Sequence, residues 1–252
     1  LDKVSGVVIC FNEEKCIERC ILSLQNVCDE IVILDSFSTD RTAEICRQLG
    51  VRFYQRKFEG YGLQKRAAVS LASFDFILSL DADEMLDEEL THSILRDKKR
   101  GFYPLYRLNR KTFYAGKWVR HCGWYPDRKI RLWNRNAAEW TPDSLHETVQ
   151  ALNQYEKAHD LPGHILHYSY PSESDHIRQI RNFAKEGALK LFKQGRKANF
   201  YHLYVKPVSK FIIMYFFRLG FLDGFMGLKI CLRSAYGIHQ KYLSLRNLYL
   251  GK

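Results

Sequence analysis

The chain opens on a continuous apolar run, VSGVVIC from Val4 to Cys10, and then changes period. In EEKCIERCILSLQ the residues Ile17, Cys20, Ile21 and Leu24 recur three and four apart. The first pattern predicts a buried strand, the second a helix with one apolar face. The alternation continues: EIVILD reads as a strand and TDRTAEICRQLG as a helix with Thr39 or Asp40 as its cap and Gly50 as its stop. VRFYQ is a short strand, GLQKRAAVSLAS a third helix and FDFILSLD a further strand. Continuous apolar strands separated by helices predict βαβ units. The fold class expected is therefore α/β, a doubly wound, mostly parallel sheet with helices on both faces.

From about residue 171 the period is helical only. SDHIRQIRNFAKEGALKLFKQG places Ile177, Ile180, Phe183, Ala184, Ala188 and Leu191 on one face, with basic residues between them and Gly195 as the end. PVSKFIIMYFFRLG predicts a second helix that starts at Pro207, a favoured first position, and stops at Gly220. At about 1.5 Å per residue it is roughly 20 Å long, short of the roughly 30 Å of a bilayer core, so it is expected to lie on a membrane and not to cross one. Helices of a small soluble core are the other reading of the same apolar residues.

In open α/β sheets ligands bind beyond the carboxyl ends of the strands. Here those positions are Phe11, Asn12 and Glu13 after the first strand, Asp35 and Ser36 after the second, and Asp81, Ala82 and Asp83 after FDFILSL. No GxGxxG or GxxxxGK[ST] segment offers a backbone cradle for phosphate. A phosphorylated ligand at so acidic an edge needs a divalent cation between itself and the protein. In extended chain Asp81 and Asp83, two residues apart, point the same way, which suits Mg²⁺ or Mn²⁺ bound by carboxylate oxygen. The competing reading is a helix entry, with Asp83 and Glu84 at the amino end of a helix that carries Asp87, Glu88 and Glu89.

Charge changes the picture at the other end. The 252 residues carry a net charge of +11, and residues 176 to 252 hold 15 Lys and Arg against Glu186 and Asp223, a net +13. That leaves a near-neutral body with a basic tail. Nucleic acid is one partner for such a tail, but the basic residues are interleaved with runs such as FIIMYFF, which favours an anionic membrane surface and no nucleic acid. Seven cysteines, without a CxxC pair, sit partly in apolar runs and read as free thiols of a reducing compartment. The first residues show no signal peptide, and the location expected is the cytoplasm, peripheral on the inner face of the cytoplasmic membrane.

VVICFNEEKCIERCILSL, EIVILDSFSTDRTAEI, LQKRAAVSLASFDFILSLDADE, WYPDRKIRLWN, LHETV, HYSY and RLGFLDGFMGL, in this order, resemble glycosyltransferases of family 2 with the GT-A fold. More narrowly they resemble the bacterial lipopolysaccharide core β-glucosyltransferases. The resemblance implies a metal-dependent, inverting transfer of a sugar from a nucleotide-sugar donor to a lipopolysaccharide-core or other lipid-linked glycan. It places Phe11, Glu13, Asp35, Arg66 and Asp81 at the nucleotide-sugar, Asp83 as principal metal ligand with Asp81 beside it, and Glu147 as the base. Lys65 stands with Arg66, where the asparagine that often follows in the family is replaced. Asp143 competes with Glu147 for the role of base, His146 orients it or approaches the metal, and His167 is a further candidate ligand. The organisation implied is a catalytic domain over 1–170, nucleotide-binding to about 100 and acceptor-binding beyond, then a membrane-associating helical region over 171–252. Two alternatives remain: a nucleotidyltransferase that forms nucleotide sugars, although CFNEEK lacks the glycine-rich triphosphate loop, and a non-catalytic membrane-docking module.

Overall fold

The structure is a computed structural model, and it describes residues 2–142, 147–153, 157–170 and 172–251. The first hundred residues form β1 (Val4–Cys10), α1 (Ile17–Gln25), β2 (Glu30–Asp35), α2 (Thr42–Gln48), β3 (Arg52–Gln55), α3 (Tyr61–Ser70), β4 (Phe76–Asp81), β5 (Glu84–Leu86) and α4 (Glu88–Arg100). Then come β6 (Leu105–Tyr114), β7 (Lys117–Trp118), β8 (Asp127–Asn134), β9 (Ala138–Trp140), β10 (Val149–Ala151), β11 (His159–Tyr170), α5 (Glu173–Lys193), α6 (Lys206–Ile212) and α7 (Gly224–Tyr249). The main sheet runs β3-β2-β1-β4-β8-β6-β11-β5, with β7 paired to β6. Its first four strands are parallel, and β8 and β6 continue it antiparallel.

The α/β class expected from the apolar runs is what forms, and side-chain alternation explains why those runs are unbroken. Val4 and Val8 of β1, Ile31 and Ile33 of β2 and Leu78 and Leu80 of β4 enter a core with α1, α2 and α4. Val7, Val32, Leu34 and Ile77 face the other side, where they meet Ala68 and Ala72 around α3, together with Trp133, Trp140 and Val149. A strand buried on both faces has no position left for a polar alternation.

The acidic stretch after β4 is not a helix entry. Glu84–Leu86 is a short strand antiparallel to β11, and α4 begins later, where the Asp87 carboxylate accepts the Leu90 amide at 2.8 Å.

Two compact units divide the chain: residues 1–110 with 127–167, and residues 111–126 with 168–252. In the second, Asp223 accepts from the His121 amide at 2.8 Å and from the Arg120 amide at 3.3 Å, and the Cys122 amide donates to the Arg218 carbonyl at 3.0 Å, which fastens the short segment to the helices. The expectation that a helix starts at Pro207 is corrected. Helical chain begins at Tyr201, and wide i→i+5 turns over Tyr201–Val205 and Ile213–Phe217 flank α6. Proline has no amide hydrogen to give to the carbonyl four residues back, that of Leu203. His239 of α7 supplies the missing donor, its Nδ1 lying 2.9 Å from that oxygen. Among the described residues no single helix is long and apolar enough to cross a membrane; Tyr201–Phe217 and Gly220–Tyr249 meet that test only as a pair, bent by 73°.

His239→Ala leaves the Leu203 carbonyl, on a buried residue, without its donor, and is expected to lower stability by about 1–3 kcal/mol. Urea denaturation of the variant beside the parent checks this; equal midpoints at equal slope would show that the carbonyl is satisfied without the imidazole.

Candidate functional site

Parallel pairing brings three strand ends to one edge: Cys10 lies beside Asp35, and Ile9 beside Asp81. After β1 the chain turns through Asn12, whose φ is 55°. The Asn12 side-chain oxygen accepts the Thr39 amide at 2.8 Å, and the Asn12 and Glu13 amides donate to Ser38 Oγ and Thr42 Oγ1, each at 2.8 Å. The loops after β1 and β2 are thus sewn together, with the Phe11 ring 55% exposed beside them. Asp35 is fully buried. Its carboxylate accepts from the Ser38 amide at 2.9 Å, from the Ser38 hydroxyl and from Gln55 Nε2 at 3.0 Å, so that it holds the turn after β2.

Beside this edge runs a chain of alternating charges. Glu147 Oε1 lies 3.0 Å from Lys65 Nζ, which is 2.7 Å from Asp81 Oδ1. Asp81 Oδ2 is 2.9 Å from the Arg131 guanidinium, which is 3.3 Å from Glu84 Oε1. Glu84 continues to Arg110 at 3.1 Å, and Arg110 to Asp127 at 2.7 Å. Lys65, Glu84 and Arg131 are buried, and the Trp140 ring lies under both cations, 4.6 Å from Lys65 Nζ and 5.5 Å from the Arg131 guanidinium carbon. Burial works to raise the Asp81 carboxyl, but the adjacent Arg131 and Lys65 outweigh it and hold the group well below the usual carboxylate range.

The expectation that Asp81 and Asp83 point the same way from extended chain is also corrected. β4 ends at Asp81, and Ala82 and Asp83 form a turn, closed by the Asp81 amide donating to Glu84 Oε2 at 2.9 Å. The turn exists because Arg110 and Arg131 draw Glu84 inward, and it separates the two aspartates' partners. Asp83 faces His167 of β11 instead, with Oδ2 3.2 Å from Nε2. Two donors sharing a cation in adjacent octahedral positions at 2.0–2.1 Å stand roughly 3 Å apart, so this pair suits one edge of such a site. The imidazole nitrogen favours Mn²⁺ over the more strictly oxygen-seeking Mg²⁺.

Other candidates fall elsewhere. Arg66, next to Lys65 on α3 but turned away from Asp81, pairs with Glu139 at 2.8 Å in an exposed contact. Asp143 and His146 lie outside the described residues. Asp87, Glu89 and His164 form the one group of three metal-ligating side chains with mutually close donor atoms found among the described residues, and Asp87 there is already the cap of α4. Arg131, Arg110 and Glu84 were not among the site residues expected from the sequence. A signal for the first was present in IRLW, where an arginine is set among three apolar residues.

Burial first, then the negative charges of Asp83 and Asp40, push the Glu13 carboxyl up from 4.5 to about 7, against the pull of Arg19. The folded chain therefore binds this proton more tightly than the unfolded chain does. The stabilisation is full below about pH 4.5 and is lost as the pH rises through about 7. Glu13→Gln abolishes the ionisation, so in chelator its melting temperature should fall less than the parent's between about pH 5 and about pH 8. Calorimetry at the two pH values checks it, and parallel losses in the two proteins would refute the Glu13 assignment.

The family model described as glycosyl transferase family 2 matches residues 5–121. An uncharacterized glycosyltransferase of Rickettsia felis is 30% identical over 237 residues, 90% of this chain and 83% of that protein. The lipopolysaccharide core biosynthesis glycosyltransferase LpsC of Rhizobium meliloti is 28% identical over 262 residues, 95% of this chain and 93% of that protein. Among solved structures, S. aureus TarS 1–349 aligns over 99% of this chain and 92% of that one, at 16% identity and a TM-score of 0.46.

Proposed function

The chain belongs to glycosyl transferase family 2, and from that premise we propose that it is an inverting enzyme. It moves a sugar from a nucleotide-diphosphate-sugar to a lipopolysaccharide-core or other lipid-linked glycan, at the cytoplasmic face of an anionic membrane. One observation carries this reading. A single ammonium group, that of Lys65, touches both Asp81 at the end of β4 and Glu147. The donor edge of the sheet and a carboxylate able to act as base are thereby held one side chain apart. The likeness to LpsC supports the acceptor class.

Asp83 and His167, with Asp81 beside them, would hold Mg²⁺ or Mn²⁺, which when bound stabilises charge on the departing diphosphate. Asp81, fixed by Lys65 and Arg131, accepts from the ribose of the donor. The exposed Phe11 ring and Glu13 border the nucleotide, on loops whose shape Asp35 maintains. Lys65 engages Glu147 through its Oε1, and the other carboxylate oxygen, Oε2, takes the proton from the acceptor hydroxyl as that oxygen attacks the anomeric carbon.

Asp83→Ala should abolish the shift in melting temperature that Mn²⁺ produces with a panel of nucleoside-diphosphate sugars, while the temperature without ligand stays near that of the parent. A full Mn²⁺-dependent shift in the variant would remove the metal from Asp83. Glu147→Gln should lose roughly 10² to 10⁴ in turnover, with donor affinity little changed. Normal turnover in that variant, with Asp143→Asn inactive, would transfer the role of base to Asp143.

A further inference from the structure

In the second unit, the exposed residues Phe200, Tyr204, Val208, Ile212 and Phe216 follow one another four apart. A parallel row, one residue further on, ends at Ile213 and at Phe217, which is 77% exposed. An α-helix holds 3.6 residues per turn, so a strict four-residue repeat drifts around its axis. Here the wide turns over Tyr201–Val205 and Ile213–Phe217 slow that drift and keep both rows on one side. The opposite side is apolar too, with Leu203, Pro207 and Met214 buried. Helical chain that is apolar on two sides, only one of them packed on protein, has a second apolar environment to fill.

The exposed surface continues around the bend that follows. Leu219, Phe221 and Leu222 are exposed there, and Phe225 is 71% exposed with Lys229 Nζ 4.6 Å from its ring centre. The bend has a set shape. The Cys122 amide holds the Arg218 carbonyl, and a Cβ on Gly227 would stand 1.9 Å from the Gly220 carbonyl oxygen, so the two glycines fix a close approach that no larger residue permits. The aromatic tip is thus built in advance and does not have to be ordered by its partner.

We infer that this surface seats the protein in an anionic bilayer. The rings of Phe216, Phe217 and Phe225 enter the boundary between headgroups and acyl chains, while Lys210 and Arg218 stay at the level of the phosphates. The inference deepens the membrane part of the proposed function and rests on it for the kind of partner. Charge selects that partner. With a net +13 over residues 176–252, two such surfaces repel each other, whereas anionic lipid attracts each. Geometry selects the mode. Neither helix spans a bilayer alone, and the 73° bend between them suits chain lying in the interface.

The full chain carrying Phe217→Trp, compared with the parent and its four tryptophans, is mixed with vesicles of phosphatidylcholine alone or with phosphatidylglycerol. Bromine on the acyl chains serves as quencher. The added tryptophan should be quenched in the phosphatidylglycerol vesicles, and the quenching should persist when salt is raised far enough to weaken the charge attraction. The double variant Phe217→Glu, Phe225→Glu should partition about tenfold or more weakly with an unchanged melting temperature, since both rings are exposed. Vesicle binding without acyl quenching reduces the contact to surface charge and overturns the insertion. Absence of binding overturns the inference altogether, as does a dimer in lipid-free solution that the double variant dissolves, because the surface then belongs to a second copy. The Mn²⁺-dependent shift with nucleoside-diphosphate sugars, measured on the same samples without lipid, reads the enzymatic proposal separately. Its loss with quenching intact condemns the chemistry and spares the membrane surface, and the reverse result does the opposite.

Discussion

Arg131 is a buried cation in the middle of a sheet, and much of the first unit is arranged to make that tolerable. A charge taken out of water costs several kcal/mol unless close partners replace the lost solvation. Arg131 finds Asp81 on the neighbouring strand β4 and Glu84 on β5. Each of those acids then needs a further cation, which Lys65 of α3 and Arg110 of β6 provide. The alternation ends at Glu147 and Asp127, where the carboxylates are closer to water. Because the members come from both the parallel and the antiparallel strands, the network ties the two halves of the sheet together near the carboxyl end of β4.

This explains why a strand as apolar as Phe76–Leu80 ends in a run of acids. Carboxylates so close in sequence would repel one another if they shared one environment. The turn at Ala82 and Asp83 gives them separate ones: Asp81 and Glu84 become counterions inside the sheet, and Asp83 is directed to the rim beside His167. Two acids of one stretch thus become counterions within the sheet, while the third pairs with a histidine at its rim.

The second unit solves a different problem with the same economy of partners. A proline within helical chain frees one carbonyl, and an imidazole from a helix far along the sequence occupies it. Asp223 interrupts an apolar stretch and gathers the Arg120 and His121 amides together with the His121 ring nitrogen, 2.9 Å away. What is left over is apolar surface facing outward, including Phe216, Phe217 and Phe225, that nothing among the described residues of the second unit covers.

Periodicity alone determined the α/β class, the order of strands and helices from Val4 to Asp81, the helix that ends near Gly195 and the strand ends at which polar residues collect. These depend on neighbours within a few positions, because alternate residues of a strand and every third or fourth residue of a helix share a face whatever the rest of the chain does. The charge imbalance of the last third was equally plain, being a sum over residues that no folding alters. The partners of the charges were not legible: Lys65 and Arg66 are adjacent in sequence, yet one enters the buried network and the other pairs with Glu139 in solvent. Nor could sequence show that Glu84 begins a strand, that Asp83 meets a histidine more than eighty residues away, or that helical chain begins before Pro207. Each was decided by the tertiary structure, since a buried charge or an unpaired carbonyl takes whichever partner the packing brings within about 3 Å, and that distance has no counterpart along the sequence.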